Sequence, residues 1–347
     1  MGGLVAATAV AGGGGVALGT WISSPRPEAG TPNVSEPETT EKLRTGMTLP
    51  SFNRGELGSE DGKNALREIA ELGVDTVALV PYGYQKGLNA TEIYEDPQYS
   101  ASDEEVEETI RRAKGEHGLR VVLKPHIDPP SGLWRGDIGK DFGPKERAAW
   151  FKSYTGFLLP YAEMAERTGV ELFSVGVELK TMSPFEEGWR GVVEAVGGVY
   201  EGELTYAANH DEEVSWWELV DKVGVDEYTQ RPSDDAGLAA SWERTNRKYA
   251  ALAEQTGKKI VLTEFGLTSA PGALTRPNEY GFSSVSDQDE QARGYRAALE
   301  ALPRTGTVEE VVLWSWDLRK LNPETDTHFS PRGKKAGEVL RQFNMSR

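Results

Sequence analysis

With 347 residues, 38% of them hydrophobic and 27% charged, the chain carries enough apolar material for one large core in a soluble globular protein. Its formal charge of -17 argues against nucleic acid and anionic membrane surfaces, which reward Lys and Arg, and fits a neutral or basic partner. The absence of cysteine excludes disulfides, thiolate metal sites and a cysteine nucleophile.

Residues 4–22 are apolar and rich in small residues, the composition of a secretory signal or an uncleaved membrane anchor. The expectation is a secreted or cell-surface protein with a possible N-terminal tether. Residues 23–43 hold four prolines among Glu, Ser and Thr, the composition of a disordered linker. From residue 44 onward, strands and helices alternate, as in a parallel α/β architecture.

The first strand is expected at residues 46–52. A helix capped near Ser59 or Asp61 then leads to a second strand at 76–80. Ser102 and Glu105 mark the next helix start, with a third strand at 120–126. Apolar residues in steps of three and four predict a long helix over 144–168. The fourth strand ends in Val175-Gly176-Val177-Glu178, the fifth spans 204–209, and Trp216-Trp217 sit on a short helix before the sixth strand at 222–228. A helix over 239–256 leads to the seventh strand, Ile260-Val261-Leu262-Thr263-Glu264. A helix at 287–302, an eighth strand at 310–317 and a last helix near 334–343 complete the chain. Eight strands, seven helices between them and one after match a single (β/α)8 TIM barrel over residues 44–347. An open doubly wound sheet would also alternate, but no glycine-rich phosphate loop follows the first strand.

Polar residues at the carboxyl ends of barrel strands gather around one mouth. Here those are His126, Asp128, Glu178, Asn209, His210, Asp226, Glu227, Tyr228, Glu264, Trp314, Trp316 and Asp317. Glu178 and Glu264 end strands four and seven. Two carboxyl groups about 5–5.5 Å apart suit retaining glycoside hydrolysis, one as nucleophile and the other as acid and then base. Nine Trp and twelve Tyr supply flat amphipathic rings of the kind that line sites for ligands rich in hydroxyls.

Six stretches in order resemble the retaining clan A glycosidases, and within them glycoside hydrolase family 113, the β-mannanases. They are Ser100-Ala101-Ser102-Asp103-Glu104-Glu105, Leu123-Lys124-Pro125-His126-Ile127-Asp128, Val175-Gly176-Val177-Glu178-Leu179, Leu204-Thr205-Tyr206-Ala207-Ala208-Asn209, Gly224-Val225-Asp226-Glu227-Tyr228 and Leu262-Thr263-Glu264-Phe265-Gly266. The resemblance implies Glu178 as acid/base and Glu264 as nucleophile. It also implies Tyr228 beside Glu264 and a strand-eight tryptophan under the cleaved sugar, Trp316, or Trp314 if the register slips. Many clan members carry Asn just before the acid/base, where this chain has Val177; Asn209 or His126 is the candidate substitute for its sugar contact. His126 and Asp128 suit sugar binding or loop packing equally, and Trp134, Trp216 and Trp217 suit subsite platforms or packing. Glu227 is the alternative acid.

The implied substrate is β-1,4-linked mannan or mannooligosaccharide, bound by a monomer with no nucleic-acid partner, and the mechanism needs no cofactor. Two rivals share the barrel. A metal-dependent hydrolase would use His126, Asp128, His210 and Asp226, yet only four histidines occur and none in His-x-His or His-Glu-x-x-His spacing. A barrel that binds carbohydrate without turnover is the other.

Overall fold

The computed structural model describes residues 42–347; the expected signal or anchor at 1–22, and the linker as far as residue 41, lie outside them. Within the described residues, apolar runs form the strands that alternation predicts. The strands β1 (Arg44–Pro50), β2 (Thr76–Val80), β3 (Arg120–Leu123), β4 (Leu172–Val177), β5 (Glu203–Asn209), β6 (Lys222–Glu227), β7 (Ile260–Phe265) and β8 (Val308–Leu313) close a parallel barrel. Each pairs with the next in sequence, and β8 returns to β1.

The pleat sorts side chains to two faces. Val77 and Leu79, Val121 and Leu123, Ile260 and Leu262, and Val311 and Leu313 join the large core beneath the helices. The residues between them, Ala78, Val122, Val261 and Val312, form a separate cluster with Leu172 inside the barrel. By the same period of two, Lys124 continues the inward series from Val122. Its site at the top of the barrel follows from the chain itself.

The outer layer comprises α1 (Glu60–Glu71), α2 (Asp103–His117), α3 (Pro144–Thr168), α4 (Glu186–Gly197), α5 (Asp235–Thr256), α6 (Gln288–Ala301) and α7 (Lys335–Met345). Ser59 caps α1, and Ser102 with Glu105 forms a reciprocal capping box on α2, as the sequence predicts. Six α-helices, not seven, therefore lie between strands; β5 and β6 are joined by the 3-10 turn Trp217–Leu219. Trp216 enters the core there, stacked on Trp189 at 5.1 Å, and Trp217 is also buried, so both tryptophans are packing residues.

The third strand differs from its expected span of 120–126. Pro81 and Pro125 offer no amide hydrogen to a ladder. Beyond them Tyr82–Tyr84 and His126–Asp128 pair with each other as a separate two-stranded sheet above the barrel rim. This raised sheet carries His126 and Asp128 to the mouth.

Helix α5 is tied to β6 by a buried ion pair. Arg231 Nη2 donates to Glu227 Oε1 at 2.9 Å, both side chains 3% exposed, while Ser241 and Thr245 of α5 accept from Nη1 and Tyr249 donates to Glu227 Oε2. Burial opposes the Glu227 charge, but Arg231, Tyr249 and Thr229 together hold its carboxyl below the usual range. Removing one partner of a buried pair strands the other charge. Arg231→Met is expected to destabilise the fold by about 3–5 kcal/mol, read as a lower denaturant midpoint with unchanged slope. A midpoint like that of the wild type would contradict this role.

Candidate active site

Irregularities in the ladder lie next to the candidate residues. The β4–β5 register shifts between Ser174 and Val177, just before Glu178, and the β6–β7 register shifts between Val225 and Asp226. Such bulges re-aim side chains at strand ends. Glu178 itself has φ 50, in the left-handed region that residues with a Cβ seldom occupy.

Glu178 and Glu264 line one cavity of ≈ 470 Å³ at the barrel mouth, with His126, Trp134, Arg135, Asn209, Tyr228 and Trp314 among its other walls. A larger hollow of ≈ 570 Å³ lies between α5, α6 and α7, lined by apolar residues such as Leu238, Trp242 and Val339 and by surface charges rather than convergent catalytic groups.

The two carboxylates have different surroundings. Glu264 Oε1 accepts from Lys124 Nζ at 2.6 Å, and Oε2 accepts from the Tyr228 hydroxyl at 2.8 Å. Lys124 is buried and also donates to both oxygens of Asp226, at 2.9 and 3.1 Å. Burial works against its ammonium, yet Asp226 and Glu264 hold its pKa above the ordinary value. Asp226, wholly buried and beside Glu264, is pushed well up despite Lys124.

Among the described residues, no such cation contacts Glu178. Its Oε1 accepts from Asn209 Nδ2 at 2.7 Å. Burial and the negative charge of Glu264 raise its pKa, against the weaker pull of Arg135, Lys124 and Asn209. One carboxyl is thus favoured as proton holder, while the other is surrounded by donors. That division is what acid/base and nucleophile need.

The remaining predicted residues take distinct places. His126 is buried; Arg135 Nη1 donates to its Nδ1, which leaves the ring proton on Nε2. Burial and the cations Arg135 and Lys124 push its pKa well below 6.5, so the ring is neutral. Nε2 lies 3.7 Å from Glu264 Oε1 with no hydrogen-bond partner among the described residues. Asp128 accepts from Arg135 Nη2 at 2.6 Å and faces an adjoining hollow of ≈ 520 Å³ rather than the carboxylate pair.

Trp134, 41% exposed, stands at the cavity edge. Trp314 lies parallel to the His126 ring, centroids 6.0 Å apart, and lines both hollows. Trp316 is buried, outside the cavity of the two glutamates, with the Arg332 guanidinium over its ring. The strand-eight tryptophan at the pair is therefore Trp314, since β8 ends at Leu313 and not at residue 317. Glu227 points away from the mouth into its ion pair with Arg231, which removes it as the alternative acid.

Sequence reasoning gave no role to Lys124, Arg135 or Glu212. A lysine ending an apolar strand on its inward phase was the readable signal for Lys124. Arg135 follows Trp134 in a long loop, with no pattern to mark it. Half-buried Glu212 sits behind Asn209, its carboxyl pushed by burial up to about 7.

A family model described as glycoside hydrolase family 113 matches residues 48–334. The solved structure of a family 113 β-mannanase from Alicyclobacillus acidocaldarius in complex with ManMIm is 30% identical, covers 88% of this chain and 98% of its own, and superposes with TM-score 0.79. A further family 113 β-1,4-mannanase structure is 26% identical, with 89% of this chain and 99% of that one covered and TM-score 0.80. A family 5 mannosidase from Rhizomucor miehei shares the fold at TM-score 0.62 and 10% identity, covering 88% of this chain and 92% of its own. A search of curated protein sequences gave no match. The chain belongs to glycoside hydrolase family 113 and is a clan A glycoside hydrolase.

Proposed function

We propose that the protein is a retaining hydrolase of β-1,4-linked mannan or mannooligosaccharides, working by double displacement. The observation that carries this reading is the pair Glu178 and Glu264 on one cavity, with surroundings that favour a proton on the first and set the donors Lys124 and Tyr228 against the two oxygens of the second. The β-mannanase activity of the family 113 neighbours supports the sugar.

In the first step the Glu264 carboxylate attacks the anomeric carbon while Glu178 gives its proton to the leaving oxygen. In the second, Glu178 takes a proton from water, which attacks the same carbon and frees Glu264. Tyr228 and Lys124 hold the nucleophile, which keeps both of its oxygens accepting until one forms the bond. Trp314 supplies a flat face for the sugar. The Nε2–H of His126, a buried donor with no partner among the described residues, is suited to a sugar hydroxyl. It can replace the contact given elsewhere in the clan by the residue at Val177, because Asn209 is already engaged with Glu178. Trp134 offers a platform at the edge, and Asp128 acts through Arg135. The apolar run at residues 4–22 supports a secreted or surface-tethered enzyme.

Digestion of mannohexaose followed by NMR tests the reading: the β-anomer should appear first and mutarotate later, whereas α first would require inversion. Glu264→Ala should lower activity by on the order of 10⁴-fold or more on every substrate. Glu178→Ala should lose about 10²–10⁴-fold on mannan, yet still release an activated phenol in a first-turnover burst, because that leaving group needs no proton. Equal losses on both substrates would contradict the assignment of Glu178. Arg135→Gln removes a cation that favours the charged form of Glu178. The alkaline limb of kcat/KM, set by loss of the Glu178 proton, should move to higher pH. Movement to lower pH would contradict it.

A further inference from the structure

We infer that Glu212 is a positioning residue for the acid/base, holding Glu178 by two routes that meet on one carboxylate; the inference rests on the role proposed above for Glu178. The first route runs through the backbone. Glu178 is in the left-handed region, so its surroundings must impose that conformation. The amide following it, Leu179 N–H, donates to the Tyr206 hydroxyl oxygen at 2.9 Å, and that hydroxyl donates to Glu212 Oε1 at 2.6 Å. The second route runs through the side chain. Glu212 Oε2 accepts from Asn209 N–H at 3.0 Å, and Asn209 Nδ2 donates to Glu178 Oε1 at 2.7 Å. The four links form a ring from the acid/base backbone to its own carboxyl oxygen.

Tyr206 donates to one oxygen of Glu212 and Asn209 to the other, and only an ionised carboxylate presents an acceptor at both ends. An amide of the same size would turn N–H groups toward one of them. Tyr206 cannot drift to compensate: it is fully buried, edge-on against Trp189 and Trp216 at 5.1 and 5.0 Å. Residue 176 is glycine for the same reason, since a Cβ there would lie 2.6 Å from the Tyr206 ring. Glu212 does not line the cavity, so it acts on the reaction through Glu178 rather than on substrate.

Glu212→Gln cuts one of the two links to Glu212, and Tyr206→Phe removes both links made by the Tyr206 hydroxyl; both nearly preserve size. Both are compared with wild type on mannohexaose, whose leaving group needs a proton, and on 2,4-dinitrophenyl β-mannobioside, whose leaving group does not. On mannohexaose kcat is expected to fall on the order of 10- to 100-fold with KM within about twofold, while the dinitrophenol burst rate stays within about threefold of wild type. A residue that merely braces the loop would slow both substrates alike. Equal losses, or undiminished kcat on mannohexaose, overturn the inference. Glu178→Ala in the same assay separates the two levels. If Glu178→Ala is selective for leaving group and Glu212→Gln is not, only the role of Glu212 falls. If Glu178→Ala slows both substrates equally, the acid/base assignment falls and this inference with it.

Discussion

One buried ammonium organises the barrel mouth. Lys124 directly follows β3 and keeps its inward phase, with a proline as the next residue. Taken out of water alone, its charge would cost several kcal/mol. It persists because Asp226 on β6 and Glu264 on β7 both accept from it, so three strands are tied at one point. Two carboxylates crowding one ammonium cannot both carry charge without penalty, and the wholly buried Asp226 is the one pushed up. Lys124, with Tyr228 on the other oxygen, leaves Glu264 held in place and rich in donors.

The asymmetry of the site follows from where that ammonium is. Glu178 lies across the cavity with an amide, not an ammonium, against its carboxyl, and the Glu264 charge adds to the effect of burial. Two chemically identical side chains are thus set in different surroundings by their neighbours alone. Arg135 moderates the asymmetry. It is committed to His126 and Asp128, and its charge reaches Glu178 without a direct hydrogen bond.

The barrel was legible because a strand buried on both faces writes itself as a short apolar run, and such runs end where the chemistry begins. Thr76–Val80 and Pro144–Thr168 coincide with their expected bounds. The carboxylates at the ends of β4 and β7 could be read for the same reason, as could Tyr228 and Asn209 from their strand-end positions. Tertiary detail was less legible. Pro125 splits the third strand, and the short helix expected at Trp216-Trp217 is a single 3-10 turn whose tryptophans fill core space. The place of Trp314 rather than Trp316 at the pair depends on where pairing with β7 stops, which a run of Leu313-Trp314-Ser315-Trp316 does not encode. Arg135 and Glu212 act through loops, whose geometry is set by their contacts and not by periodicity.

The cavity of the two glutamates opens into a second hollow that shares Arg135, Tyr280, Trp314 and Phe329 with it, so the mouth is a cleft rather than a single socket. Within that cleft Glu264 is the group proposed to bond to the sugar. The most direct measurement uses a 2-deoxy-2-fluoro-β-mannosyl fluoride, in which fluoride leaves as a carboxylate oxygen bonds to the anomeric carbon and turnover of the adduct is slow. Mass spectrometry of peptides from the inactivated enzyme should find one added sugar, on Glu264. A label on Glu178 or Asp226, or an enzyme that hydrolyses mannan yet gathers no adduct, would contradict the claim.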